Sequence, residues 1–192
     1  FSGCQNLNSI TLKSGLTTIG SYAFWGTSLT RLVIPASVSA IHPGAFSGTR
    51  WLPELTVSSG NPNFQSLDGI IYSRDLATLV AYPVVKTDPG FTIPESVTHI
   101  AGGAFEGNVH LTQINFSSNL ASVGPRGFAY TRLVDEFTFP DSLTALASES
   151  FLGCSALSKI TFGSSLATIG ESAFRDCPDL GSINIPDTVT TL

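Results

Sequence analysis

The sequence predicts a solenoid of the α/β class, rich in β structure. It has a parallel sheet along a concave face, short strands and single helical turns on the convex side, and about eight rungs of 22–23 residues. Three observations carry that reading. Phenylalanine recurs at a fixed interval, an apolar-x-apolar triplet follows each phenylalanine, and glycine and proline punctuate the unit at set places.

The marker interval comes first. Phe1 and Phe24 lie 23 apart and Phe24 and Phe46 lie 22 apart; Phe105, Phe128, Phe151 and Phe174 then follow at intervals of 23. Ala23, Ala45, Ala104 and Ala173 precede their markers, and Gly127 and Ser150 take that place in two other units, so only a small side chain fits there. Two residues past the marker stand Gly3, Gly26, Gly48, Gly107 and Gly153, where a left-handed residue would reverse the chain. Tyr130 and Asp176 are the exceptions.

The triplets are Ile10 and Leu12, Leu32 and Ile34, Leu55 and Val57, Phe91 and Ile93, Ile114 and Phe116, Phe137 and Phe139, Ile160 and Phe162, and Ile183 and Ile185. Alternation of that kind makes a short strand with one buried face. Leu7, Leu29, Leu52, Leu111, Val134, Leu157 and Leu180 stand before the triplets, and together they spell LxxIxI, the strand signature of leucine-rich repeats. Pro35, Pro94, Pro140 and Pro186 end the strand, because proline cannot donate to a ladder. A turn follows, with Ile19, Ile41, Ile100, Val123, Leu146 and Ile169 as its apolar column, and then the helical turn that ends in the marker.

One such unit cannot bury its own apolar face, so the units stack and the phenylalanines form an internal spine. Eight strands at about 4.8 Å would span roughly 40 Å. Residues 1–192 are expected to form a single domain, part of a longer repeat array, with a variant repeat at about 58–90. There Ile70–Tyr72 and Leu79–Tyr82 read as two strands of a hairpin joined through Ser73, Arg74 and Asp75. The hairpin either carries Tyr72, Tyr82 and Arg74 to a partner or is a structural variant of the rung. Its apolar content demands burial, which favours the second.

The segments SLATIGESAFRDCPDLGSINIP and VTHIAGGAFEGNVHLTQINF resemble the BspA-like, Treponema pallidum-type leucine-rich repeats of bacterial surface proteins. The resemblance covers essentially the whole chain. It implies an extracellular or cell-surface protein of a host-associated bacterium. It also implies a partner that is an extracellular-matrix protein or another bacterial surface protein, bound in adhesion. A passive spacer presenting another domain, or a glycan-binding module, are the alternatives. The repeat encodes the scaffold, so function belongs to the positions that vary.

Composition sets the remaining bounds. The chain is 42% hydrophobic and only 12% charged, about half the usual charged share. A net charge of -5 with nine scattered Lys and Arg offers no basic stripe for nucleic acid. No run of eighteen apolar residues is present to span a membrane. His42, His99 and His110 fall in three different columns without a nucleophile or carboxylate at motif spacing, so no catalytic site is expected. Cys4, Cys154 and Cys177 share one column with threonine and asparagine, which reads as a small polar slot holding structural thiols and no zinc site. Neither metal nor cofactor is expected.

The candidates for binding are the off-pattern residues. One outward column of the triplet strands runs Thr11, Val33, Thr56, Thr92, Asn115, Thr138, Thr161 and Asn184, mostly good sheet formers. Its neighbour varies in charge: Ser9, Arg31, Glu54, Gln113, Glu136, Lys159 and Ser182. That column is either a recognition surface or a merely solvated one, with Arg31–Glu54 and Glu136–Lys159 pairing across rungs. Trp25 and Trp51 fall in columns expected to face water, either as interface anchors or sugar-stacking platforms, or lying flat over local apolar surface. Tyr72 completes the set through the hairpin.

Overall fold

Apolar triplets closed off by proline can form only short strands, and the fold is assembled from sixteen of them with no helix among the described residues. A computed structural model describes residues 1–192, the side chain of Asp135 excepted. In chain order the strands begin with β1 (Thr18–Ile19), β2 (Val33–Ile34), β3 (Ala40–Ile41) and β4 (Thr56–Val57). Next come β5 (Phe64–Leu67), β6 (Ile70–Ser73), β7 (Thr78–Ala81) and β8 (Gly90–Thr92). The second half adds β9 (His99–Ile100), β10 (Gln113–Asn115), β11 (Ser122–Val123) and β12 (Asp135–Thr138). The last are β13 (Ala145–Leu146), β14 (Leu157–Thr161), β15 (Thr168–Ile169) and β16 (Ser182–Ile183).

The triplet strands pair in parallel as expected, but in three pieces: β2–β4, β8–β10 and β12–β14–β16. Seven of the eight triplets form strands; residues 9–12 pack their Ile10 and Leu12 on the core without pairing. The column read as a turn is a second parallel ladder. Here β1 pairs β3, and β7, β9, β11, β13 and β15 run on without a break, Val123 lying between Ile100 and Leu146. In the unit that follows Phe128, Leu133 is 1% exposed and fills the leucine column in place of the half-buried Val134. That exchange lies next to a register shift between Asp135 and Glu136.

The expected single helical turn is absent for a hydrogen-bonding reason. Around Phe105, Phe128 and Phe151, alternate N–H groups point to the next rung: Phe128 N donates to Ser150 O (2.8 Å) and Tyr130 N to Leu152 O (2.7 Å). The intervening groups close tight turns within the rung, as from Ala129 N to Arg126 O (3.1 Å). Groups committed between rungs cannot also make helical bonds. The corner is turned instead by two left-handed residues, two before and two after the marker. The column after the marker is left-handed even where glycine is missing, with φ of 57° at Tyr130 and 58° at Asp176. The column before it was not legible as such, since Tyr22, Arg126, Glu149 and Ser172 hold φ between 54° and 57° without being glycine.

The marker rings stack as a spine. Centroids are 6.1 Å apart for Phe1–Phe24, 5.9 Å for Phe24–Phe46, 4.6 Å for Phe105–Phe128, 5.0 Å for Phe128–Phe151 and 5.5 Å for Phe151–Phe174. Tyr82 belongs to this column, a point sequence reading missed. It stacks on Phe105 at 4.9 Å, and its N–H donates to Ala104 O as the other markers do to theirs. The pair Ala81–Tyr82, placed 23 residues before Ala104–Phe105, was the available signal.

The variant repeat is a three-stranded antiparallel meander, one strand more than the expected hairpin. β5 pairs β6, β6 pairs β7, and β7 enters the second ladder beside β9. Its side chains divide between two cores: Ile70, Tyr72 and Leu79 join the core of the later rungs, while Ile71 and Ala81 join that of the earlier ones. The meander is therefore a plate buried on both faces.

Two substitutions in the spine should move stability in opposite directions. Phe128→Ala removes a fully buried ring between two stacked neighbours and should cost about 3–5 kcal/mol. Tyr82→Phe removes a buried hydroxyl that has no hydrogen-bond partner and should leave stability unchanged or raise it by about 1 kcal/mol. Urea unfolding of both variants against the parent chain checks the pair.

Candidate functional site

A strand buried on one face presents every second residue on the other. On the triplet ladder those residues are Arg31, Glu54, Gln113, Asn115, Glu136 and Lys159, and all are exposed. Gly90 stands opposite Gln113 and fills the rung for which the pattern named no residue. The three pieces of the ladder keep the candidates apart: Arg31 and Glu54 flank β2–β4, Gln113 and Asn115 lie on β10, and Glu136 and Lys159 lie on β12 and β14. Lys159 Nζ reaches Glu136 Oε1 at 2.7 Å, the expected cross-rung pair. Both side chains are about half exposed, so the pair contributes under about 1 kcal/mol. Arg31 and Glu54 form no ion pair among the described residues; Glu54 instead packs against Gly69 at the β5–β6 turn. Between the first two pieces lies an open notch of about 620 Å³ lined by Leu67, Asp68, Tyr72, Lys86, Phe91 and neighbouring residues.

The column of Trp25 does not face water as expected. Ser47, Glu106, Ala129 and Leu152 are 0–6% exposed in it, while Trp25 is 49% exposed and Arg175 is exposed too. The left-handed residue that follows folds the chain back and tucks this position beneath the adjoining rung. An indole is too large for that space. Trp25 lies across Gly48 instead, so closely that a Cβ there would sit 2.9 Å from its Cδ1. The column of Trp51 is exposed at Asn6, His110 and Asp179 and buried at Leu133, and Trp51 itself is 63% exposed. The two indoles come together in one groove of about 380 Å³, which also takes in Gln5, Asn6, Ser28 and Arg50.

Tyr72 leaves the list of candidates. It is 3% exposed inside the plate, where it lines the notch, and with it Tyr82 is 2% exposed in the spine, so little of either ring is open to a partner. Burial first, and the Asp68 charge second, raise the Tyr72 phenol from its ordinary 10.0 to about 12. Arg74 stays exposed at the β6–β7 connection.

One charged cluster was missed altogether. Glu106, in the column expected to be wet, is 6% exposed and accepts from Arg126 Nε at 3.0 Å, from Ser47 Oγ at 3.1 Å and from Tyr22 OH at 3.3 Å. Arg126 also donates to Glu149, and its guanidinium lies 5.3 Å from the Tyr130 ring centroid. Burial alone would lower the Arg126 pKa, but the hydrogen bonds to Glu106 and Glu149 outweigh it and raise the value above the ordinary one. No sequence spacing announced the cluster, because its members come from five rungs and meet only when the corners stack.

The cysteine column behaves as a small polar slot. Cys4, Cys154 and Cys177 are free thiols, and Cys154 Sγ and Cys177 Sγ lie 3.2 Å from Phe128 O and Phe151 O. The hydrogen bond with Cys177, and then burial, raise the Cys154 pKa. Among the described residues no group of three or more His, Cys, Asp or Glu is placed to hold a metal.

Stacked rungs with LxxIxI strands, a phenylalanine spine and a variable outward column define a leucine-rich repeat solenoid. The chain matches the BspA type leucine rich repeat region in six copies over residues 1–73 and 89–192, and it belongs to that family. It is similar to a leucine-rich repeat protein from Eubacterium ventriosum, with 25% identity and a TM-score of 0.73 over 91% of this chain and 59% of that one. A leucine rich cell surface protein from Faecalibacterium prausnitzii is 32% identical, with a TM-score of 0.66 over 100% of this chain and 45% of that one. The pneumococcal vaccine antigen PcpA shares the fold at 23% identity and a TM-score of 0.70, over 92% and 54% of the two chains. This chain thus spans less than two thirds of each. None of the curated proteins matches it.

Arg126→Ala would leave the buried Glu106 carboxylate unpaired and should destabilise by about 3 kcal/mol. The double change Arg126→Met with Glu106→Leu should recover part of that loss, as measured by the thermal midpoints of the two variants. Alkaline pH supplies a second test. Because the folded-state pKa of Tyr72 is raised, its contribution is complete below pH 10 and is lost as pH rises from 10 towards 12. Urea midpoints measured across that window should fall, and Tyr72→Phe should flatten the decline.

Proposed function

We propose that this chain belongs to a secreted or surface-exposed protein of a host-associated bacterium and binds a protein partner, without catalysing a reaction, through the outward face of its triplet ladder. The family and the cell-surface description of the Faecalibacterium prausnitzii relative support the location. The observation that carries the binding face is the column of Arg31, Glu54, Gln113, Glu136 and Lys159. It is exposed throughout and mixes both signs of charge, while the column beside it is nearly uniform in threonine and asparagine. Its seven strands, about 4.8 Å apart within each of the three pieces, together make a face at least roughly 30 Å long, which can supply the ~800 Å² per partner of a standard interface. Mixed charge on such a strip serves partner choice and association rate more than affinity. An extracellular-matrix protein or another bacterial surface protein fits this role, in adhesion.

The mutual pairing of Lys159 and Glu136 favours a second reading, a stiff spacer that presents another domain, since charges satisfied within the chain ask nothing of a ligand. Surface plasmon resonance of the chain against immobilised matrix proteins separates the two. Saturable binding that weakens at least tenfold when Arg31, Glu54, Glu136 and Lys159 are all reversed in charge, at an unchanged thermal midpoint, supports the binding face. Absence of saturable binding, or indifference to the four changes, supports the spacer.

A further inference from the structure

The groove holding Trp25 and Trp51 lies apart from the triplet ladder, at the corner just after the markers, and three successive rungs build it. Gln5 and Asn6 come from the first, Trp25 and Ser28 from the second, and Arg50 and Trp51 from the third. Its two indoles distinguish it from the groove beside Arg31, which likewise has one arginine and no carboxylate. The tryptophans are its only large apolar side chains, and between them stand amides, a hydroxyl and a guanidinium. No carboxylate lines it, in a protein whose net charge is -5. Arg50 makes no ion pair, and the side chains of Gln5 and Asn6 make no hydrogen bond, among the described residues.

The tryptophans are not merely surplus surface. Trp25 is held in place by the bare backbone of Gly48, where any side chain would collide with it, and remains 49% exposed on that support. A ring fixed in this way costs little entropy on binding. Trp51 stands 63% exposed across the same groove. An apolar ligand would leave the Gln5, Asn6 and Arg50 groups without partners, and a small anion would have no use for two indoles. A pyranose ring satisfies both demands, since its C–H face stacks on an aromatic plane while its hydroxyl edge bonds to amides. The lone guanidinium selects for a carboxylate on that sugar. A volume of about 380 Å³ suits one or two rings.

We infer that the Trp25–Trp51 groove is a binding site for acidic glycans, in which a uronic acid stacks on indole and its carboxylate pairs with Arg50. This site is independent of the protein-binding face. The test is tryptophan fluorescence of the chain titrated with oligogalacturonate, with glucuronate-containing oligosaccharides, and with the same chains after carboxyl reduction. The expected result is a saturable change with at least one acidic series. Carboxyl reduction and Arg50→Gln should each weaken it at least tenfold, and Trp51→Ala should abolish it, while both variants keep the parent thermal midpoint because both residues are exposed. The four charge reversals on the triplet ladder should leave it intact, which separates failure of this site from failure of that face. A flat response to both acidic series, retention of binding in Trp51→Ala, or equal affinity for the reduced sugars would each overturn the assignment.

Discussion

Everything in this molecule rests on face-to-face stacking of one aromatic ring per rung, at centroid spacings of 4.6 to 6.1 Å. A rung of about 23 residues has no interior of its own; its interior is the flat faces of the rings above and below. Each stacked pair adds about 0.5–1.5 kcal/mol beyond area burial, and the repetition makes stability a sum over neighbours. The same spacing sets the two parallel ladders on either side. It also sets the hydrogen bonds between corners, such as Phe105 N to Gly127 O at 2.8 Å. Small residues before the marker follow from this, because the carbonyl of Ala45, Gly127 or Ser150 must come within bonding range of the preceding rung's marker.

The plate formed by β5, β6 and β7 shows how such a stack tolerates an insertion. No ring pair bridges Phe46 and Tyr82 among the described residues, so the spine is interrupted there. The gap is filled by Ile71 facing one core and by Ile70 and Tyr72 facing the other. Through β7 the plate joins the second ladder of the later rungs at β9, but β1–β3 stays a separate pair before it, and the triplet ladder is likewise cut between β4 and β8. The insertion therefore interrupts both ladders, leaving the notch beside Phe91 on the face proposed to bind, and seeds the second ladder anew through β7.

The positions free to vary are those the stack does not consume. At the corners, Glu106 and Trp25 occupy equivalent places with opposite fates: one is drawn inward to Arg126, the other pushed out over Gly48. The exposed strip on the triplet ladder and the groove of the two indoles are built from different residues, the groove's Ser28 and Trp51 standing three positions before Arg31 and Glu54.

Much of this was legible in the sequence because a period of 23 is a one-dimensional signal. The LxxIxI strands, the spine and the left-handed positions at Gly3, Gly26 and Gly153 follow from counting, as does the outward face with Arg31, Glu54, Gln113, Asn115, Glu136 and Lys159. The second ladder was not legible, since a two-residue strand such as Ser122–Val123 has no alternation to reveal it. Nor were the corner residues before the markers, because Arg126 and Glu149 adopt left-handed backbone without the glycine that would announce it. What the amino-acid order determined by itself is the repeat and which residues must be buried in it. Tertiary structure alone decided where equivalent columns diverge. The burial of Glu106, the withdrawal of Tyr72 and the meeting of Trp25 with Trp51 depend on how neighbouring rungs fit, and that fit is a property of pairs of rungs that no single repeat contains.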